Sequence, residues 1–237
     1  MIPEELLCLG ERPLLVICDY DGTLAPIAVH PSRAFPQRGA AQALEALQRH
    51  GKHRLVVLTG RRAQEVHGFL GVAGLRVIGL HGLEWPGRPE QPRDRAAIQQ
   101  IVSRLPQVEG MWLEDKGWTL AVHYRDTPEP LQPKAAALLA AVPLPEGWEA
   151  MPGKKVCEYR PVGYGKGWAI GQLALEHPQH HPVFVGDDRT DEEGFAAVLG
   201  LGGTAVKVGG GESLAPYRLG NSLEVVELLT LWARGCG

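Results

Sequence analysis

The 237-residue chain has little cysteine, no long apolar run and no excess of charge of one sign. Its four cysteines, Cys8, Cys18, Cys157 and Cys236, show no CxxC spacing. Two of them stand inside apolar, strand-like runs, where Cys acts as a small hydrophobe, so neither a disulfide framework nor a zinc site is expected. The longest unbroken apolar stretch is Ala135 to Val142, far short of the roughly 20 residues that cross a bilayer, and no membrane partner is expected. Lys and Arg number 24 against 27 Asp and Glu, a formal charge of −3, and no basic run occurs. Sequence-independent nucleic-acid binding draws its affinity from clustered cations that neutralise phosphates, so this balance argues against a nucleic-acid partner. The N-terminal MIPEELLCLGERP carries acids where a secretory signal would carry a basic region, which predicts a cytoplasmic protein.

Glycine and proline are plentiful, at 30 and 19 residues. That is about a fifth of the chain, above ordinary usage and below the level of a low-complexity sequence, and it predicts many tight turns. An apolar share of 44% with a charged share of 22% describes an ordinary globular protein. Length alone allows one large domain or a larger domain carrying a smaller one.

Five short apolar runs rich in β-branched residues, Leu14–Cys18, Leu55–Leu58, Leu75–Ile78, Val183–Val185 and Ala205–Val208, suit strands buried on both faces. Between them Leu and Ala recur at spacings of three and four over Ala40–His50, Ala63–Leu70, Gly167–His177, Asp191–Leu199 and Leu223–Ala233, which predicts helices. Strand alternating with helix predicts an α/β fold with a doubly wound parallel sheet. The alternation breaks after a Pro/Arg-rich stretch, Pro86–Arg95. There the order becomes helix (Ala96–Leu105), strand (Met111–Glu114), strand (Trp118–Tyr124), helix (Leu131–Val142), strand (Trp148–Met151) and strand (Lys155–Tyr159). Paired strands flanking helices predict a smaller antiparallel α+β module over 87–162, inserted into a core made of 1–86 and 163–237.

Three of the predicted parallel strands end in chemistry-bearing residues. The first runs into Asp19-Tyr20-Asp21-Gly22-Thr23, the second into Thr59-Gly60-Arg61, the fourth into Asp187-Asp188-Arg189-Thr190-Asp191. Ligands of open α/β sheets bind beyond the carboxyl ends of the strands. Asp19 and Asp21, two apart in extended chain, point the same way and repel unless a cation or a shared proton relieves them; oxygen-only ligands favour a hard ion such as Mg²⁺. An Asp-Gly turn closing a strand is the plainer reading of the first segment taken alone. Lys166 opens the helix before the fourth strand, where a positive charge joins the anion-favouring helix end. Together these groups fit a phosphoryl transfer in which carboxylates hold Mg²⁺, the metal and Lys166 neutralise the phosphoryl group, and one carboxylate attacks phosphorus. Elsewhere, His177, His180 and His181 sit in a Pro-flanked segment that reads as a solvated loop. Gly209-Gly210-Gly211 is followed by no GK[ST] and is not a P-loop.

DYDGTL, TGR, the GKG around Lys166 and GDDRTD occur in the order of the four motifs of the haloacid dehalogenase (HAD) superfamily, which the chain resembles. The resemblance implies a HAD-like core in which Asp19 is the nucleophile that becomes an aspartyl-phosphate and Asp21 is the general acid and base. It further implies that Thr59, Gly60 and Arg61 serve the substrate side of the site and Lys166 offsets charge. Asp19, Asp21 and Asp187, with Asp188 and Asp191 as outer candidates, would form the Mg²⁺ site. An acid at position 21 separates this pattern from dehalogenase and phosphonate-cleaving members. LHGLEW, EDKGWTLAVHYR, GKKVCEYRP and GDDRTDEEGF resemble the trehalose-6-phosphate phosphatases in particular. That likeness implies a sugar phosphate, trehalose 6-phosphate, as the small-molecule partner, with a trehalose-6-phosphate synthase in the same pathway. It nominates Glu84, Lys116, His123, Arg125, Lys154 and Glu158 as sugar-facing, although KGWTLAVHYR equally fits an amphipathic strand with a wet polar side. A phosphatase of sucrose phosphate or of a mannosyl-phosphoglycerate, or a noncatalytic sugar-phosphate-binding subunit on the same fold, stays open at this point.

Overall fold

The structure is a computed structural model that describes residues 2–88 and 94–235. Residues 89–93 of the Pro86–Arg95 stretch, and Cys236, lie outside the described residues. The chain divides into two compact units, one of Met1–Arg88 with Gly165–Gly237, the other Pro89–Tyr164.

Along the chain, the first unit opens with α1 (Glu4–Leu9), β1 (Leu14–Cys18), α2 (Ala40–Arg49), β2 (Arg54–Leu58), α3 (Ala63–Leu70) and β3 (Arg76–Ile78). The second comprises α4 (Arg95–Val102), β4 (Trp112–Asp115), β5 (Leu120–His123), α5 (Gln132–Ala140), β6 (Trp148–Gly153) and β7 (Val156–Pro161). The first then resumes with α6 (Lys166–Glu176), β8 (His181–Gly186), α7 (Glu192–Gly200), β9 (Thr204–Val208), β10 (Tyr217–Leu219) and α8 (Ser222–Arg234).

The first unit holds a six-stranded parallel sheet in the order β10-β9-β8-β1-β2-β3, as the strand-helix alternation predicts. All five residues of β1 are fully buried, because helices cover both faces of the sheet. Strand alternation splits them between two cores. Leu14, Val16 and Cys18 pack with α1, α2, α3 and α8 through Leu6, Leu44, Val66 and Leu229. Leu15 and Ile17 pack with α6 and α7 through Ile170, Leu173, Phe195 and Val198. Sequence order runs outward from β1 to β3 on one side and from β8 to β10 on the other. The β1/β8 seam is therefore the switch point at which such sheets open a crevice.

The second unit is a four-stranded antiparallel sheet, β4-β5-β7-β6. One face, with Leu120, Val122, Cys157, Tyr159 and Trp148, packs on α4 and α5 through Ala97, Ile98, Ile101 and Leu139. Asp94 caps α4, its side chain accepting from the Ala97 N–H at 2.9 Å.

Several local expectations need correction. Three-residue β10 and six-residue α1 are too short to carry a periodic signal. A 3-10 turn, Arg189–Asp191, precedes α7 where continuous helix from Asp191 is predicted. Another, Glu129–Leu131, delays α5 to Gln132. β5 begins at Leu120, two residues later than the alternation from Trp118 predicts.

Candidate active site

β1 ends by continuing its ladder one step, with the Asp19 N–H donating to the Val185 carbonyl at 2.9 Å. This fixes Asp19 at the switch point, buried at 5% exposure. Lys166, the first residue of α6 and also buried, places Nζ 2.8 Å from Asp19 Oδ1 and 2.6 Å from Asp191 Oδ1. Asp191 is fully enclosed. Its second oxygen accepts the Asp187 and Asp188 N–H groups at 2.9 and 3.0 Å, so it orients both the lysine and the loop after β8. The backbone N–H of Lys166 is taken by Glu193 Oε1 at 2.7 Å, so that helix end already has an internal acid. Asp188 Oδ1 accepts from the Arg189 N–H at 2.7 Å in a capping box with Asp191.

The charges follow from this packing. Burial pushes the Asp19 carboxyl well above its ordinary value; Lys166 opposes the shift, while Asp191 and Asp187 add to it. Burial likewise raises Asp187, to about 7, with Asp191 and Asp188 adding and Lys166 and Lys207 opposing. Burial works against the Lys166 ammonium, but Asp19 and Asp191 outweigh it and hold that charge above its ordinary value.

Asp19, Asp187 and Asp191 are the one group among the described residues whose ligand atoms could surround a metal, all within 4.8 Å of one another. This all-oxygen set suits a hard divalent cation. Burial first and the neighbouring carboxylates second raise Asp19 and Asp187, and a cation held between them would favour their ionised forms. Gly22 leaves the room: at φ 76° it lies so close that a Cβ would sit 2.0 Å from Asp187 Oδ2. The residues present therefore fit Mg²⁺.

Asp21 turns elsewhere. Its two oxygens accept from Arg61 Nε at 2.6 Å and Nη2 at 2.8 Å. Arg61 also donates from Nη2 to the Pro31 carbonyl at 2.8 Å and from Nη1 to Glu65 Oε1. Thr59, buried at the end of β2, accepts the Arg61 N–H on Oγ1 at 3.1 Å. That leaves its hydroxyl proton to be donated. Gly60 packs under the His81 imidazole, and a Cβ there would meet Nε2 at 2.5 Å. His81 and Leu80 hold left-handed backbone, φ 54° and 50°, a conformation costly for residues with a side chain. Glu84 accepts the Ala63 N–H on Oε2 at 2.6 Å, at the start of α3. That oxygen thus braces the loop that carries Arg61.

In the second unit the registers Trp112↔His123, Glu114↔Ala121 and Ala121↔Glu158 put Trp112, Glu114, His123 and Glu158 on one face of the sheet. Glu158 Oε1 accepts from Thr119 Oγ1 at 2.9 Å and faces Lys116 Nζ at 3.4 Å. His123 Nε2 lies 3.0 Å from Glu114 Oε2, under the stacked Trp112 ring. This bond, above all, holds the Glu114 carboxyl below its ordinary value. Arg125 is half-buried just past β5, and Lys154 is exposed in the turn between β6 and β7.

A family profile described as Trehalose-phosphatase matches residues 17–218, a span that takes in Asp19, Thr59, Lys166, Asp187 and the whole inserted sheet. The chain belongs to the trehalose-phosphatase family. Among relatives, the trehalose-6-phosphate phosphatase of Escherichia coli (strain K12) is 34% identical over 228 residues, covering 90% of this chain and 85% of that protein. The trehalose-phosphate phosphatase of Mycobacterium marinum is 31% identical over 231 residues, covering 87% of this chain. This chain spans 58% of that longer relative. Among solved structures, the C-terminal domain of the C. albicans trehalose-6-phosphate phosphatase superposes with a TM-score of 0.84 at 23% identity, covering 100% of this chain and 99% of that one. That last likeness concerns the fold.

Three residues that touch these groups carry no role in the sequence reading, Lys207 and His81 in the first unit and Thr119 in the second. Lys207, buried on β9, donates to the Asp187 carbonyl, yet in TAVKV it reads only as one polar residue of a strand. His81 stood in the quoted LHGLEW run without a role. Thr119 supports Glu158 and, in the alternation predicted from Trp118, falls on the same side as His123 four residues on.

Proposed function

We propose that this phosphatase hydrolyses trehalose 6-phosphate to trehalose and phosphate in two steps through Asp19. The observation that carries the reading is the Lys166 ammonium held between Asp19 and Asp191 with Asp187 alongside, in a chain of the trehalose-phosphatase family. In the first step an Asp19 carboxylate oxygen attacks phosphorus. The bond from phosphorus to the sugar oxygen breaks, and that oxygen leaves with the electron pair and takes a proton from Asp21. In the second step water attacks phosphorus and gives a proton to Asp21, and the bond to Asp19 breaks to restore its carboxylate. A covalent relay of this kind replaces one hard displacement with two easier ones. Lys166 offsets charge on nucleophile and phosphate, and the Thr59 hydroxyl donates to a phosphoryl oxygen, because such catalysis is chiefly positioning and charge stabilisation. Asp19 and Asp187 would hold Mg²⁺, with the Asp21 carbonyl as a further donor. When bound, the ion supplies charge neutralisation at the phosphoryl oxygens.

The inserted sheet is the specificity element in this reading. Glu158, Lys116 and His123 present charged and ring donors and acceptors on one face, a set suited to sugar hydroxyls. Arg125 and Lys154 would act from its margins. A sugar phosphate of this kind is made by glycosyl transfer onto a phosphorylated sugar, so a synthase of trehalose 6-phosphate precedes the enzyme in its pathway. Charged sugar phosphates do not cross bilayers unaided, which assigns the enzyme to the cytoplasm.

The test is phosphate release with Mg²⁺ across trehalose 6-phosphate, sucrose 6-phosphate, mannosyl-3-phosphoglycerate and glucose 6-phosphate. Trehalose 6-phosphate should give the highest kcat/KM. A higher value for any other ester rejects the substrate, and no turnover of any ester rejects the enzyme reading.

A further inference from the structure

Arg61 invites assignment to the substrate, since it follows Thr59 and Gly60 at a strand end. Its bonds lead elsewhere. The guanidinium is 9% exposed, whereas the Asp21 side chain it grips is 46% exposed. Nε and Nη2 reach both oxygens of one carboxylate, Nη2 also meets the Pro31 carbonyl, and Nη1 meets Glu65. The group lies over the Tyr20 and Phe69 rings, 5.5 Å from each centroid. Its own backbone is held at both ends, the N–H on Thr59 Oγ1 and the carbonyl accepting from the Leu80 N–H. Four of five guanidinium N–H groups are thereby committed within the chain.

We infer that Arg61 is a positioning residue that aims the Asp21 carboxyl at the leaving oxygen, and that it is not a ligand of the substrate. The inference rests on the proton-transfer role given to Asp21 above. A half-exposed carboxyl held at one point can turn about its own bonds. Two parallel N–H···O bonds from a buried, stacked fork fix its plane and its reach. Each oxygen keeps a second lone pair, so Arg61 can remain in place while Asp21 gives its proton to the sugar oxygen and later receives one from water. Orientation matters because a sugar alkoxide is strongly basic and departs only as it is protonated. p-Nitrophenolate departs without that help.

The experiment compares kcat/KM for the best sugar phosphate of the panel with kcat/KM for p-nitrophenyl phosphate, a quantity that ends at departure of the leaving group. Asp21→Asn should lower the sugar-ester value by roughly 10²-fold or more and the aryl-ester value far less. Arg61→Ala should reproduce that bias, with a loss at least about tenfold greater for the sugar ester, chiefly in kcat. Arg61→Lys, which keeps the charge but not the fork, should fall with Arg61→Ala; it carries the test alone if the alanine variant does not fold. Equal losses on the two esters, or a raised KM with kcat retained, would overturn the positioning role. If Asp21→Asn itself shows no bias between the esters, the acid role of Asp21 fails and the inference fails with it.

Discussion

The two sheets of this chain carry their charged groups in opposite ways. In the parallel sheet β1 is apolar along its whole length, and the acids and the hydroxyl of the site appear where strands stop: Asp19 after β1, Thr59 after β2, Asp187 after β8, with Lys207 inside β9 the exception. In the antiparallel sheet polar groups alternate along the strands, with Glu114 and His123 on one face and Leu120 and Val122 on the other. A sheet covered on both faces can expose chemistry only at its ends, whereas a sheet covered on one face has a whole surface to vary. The first arrangement fixes a few groups through the backbone. The second lets side chains change without disturbing the core beneath.

That contrast can be broken or sharpened by experiment. The largest effect belongs to a strand end: Asp19→Asn should reduce turnover by about 10⁴-fold or more, as loss of a nucleophile does, with unchanged circular dichroism. Residual activity within tenfold of the parent would reject Asp19 as nucleophile. Next comes Gly22→Ala, which adds a Cβ 2.0 Å from Asp187 Oδ2 at φ 76°. Shifting Asp187 by even an ångström should cost on the order of 10²-fold in kcat, read in Mg²⁺-saturated assays; normal kinetics would show that the close approach is dispensable.

On the alternating face the expected loss is smaller. Glu158→Ala removes the partner of Thr119 and Lys116 and should raise KM for trehalose 6-phosphate about tenfold, the scale of one charged hydrogen bond. A fall confined to kcat would instead put Glu158 in the chemistry.

The smallest effect separates the two units by pH. Burial, chiefly, pushes His53 in the first unit down to about 4 from 6.5, with His50, Lys52 and His180 adding to the shift. Between those values the unfolded chain binds a proton that the folded chain refuses, so stability falls as pH drops through that window, by about 1–2 kcal/mol at pH 5. Glu114 in the second unit is held below its ordinary 4.5, first by the bond to His123. Its stabilisation is present above 4.5 and is lost as pH falls below that. Amide exchange at pH 7, 5.5 and 4 should therefore find protection weakening in the parallel sheet before the antiparallel one. The reverse order would discount His53.

Legibility followed the same division. β1, α3 and the other buried elements of the parallel unit were readable because continuous apolar runs and a 3.6-residue period are local signals. The residues after them were readable because a strand end is a place defined by the chain itself. TGR and LHGLEW mark Arg61 and Glu84 but do not tell where a side chain turns. Arg61 lies on Asp21, forty residues earlier, and Glu84 on the Ala63 N–H, twenty-one residues earlier. Lys207 and Thr119 went unread because one polar residue in a short strand has no periodic partner to mark it.

The sequence by itself determined the fold class, the alternation of strand and helix, the chemistry-bearing residues at three strand ends, with carboxylates at two of them, and membership of a phosphatase family. Only the tertiary structure decided which carboxylate faces which cation: Asp19 and Asp191 share Lys166, Asp21 goes to Arg61, and Asp188 closes its own turn. Strand and helix patterns follow from near neighbours along the chain. An ion pair depends on distance and burial, and these exist only once β1, β2, β8 and α6 have been brought to a common edge.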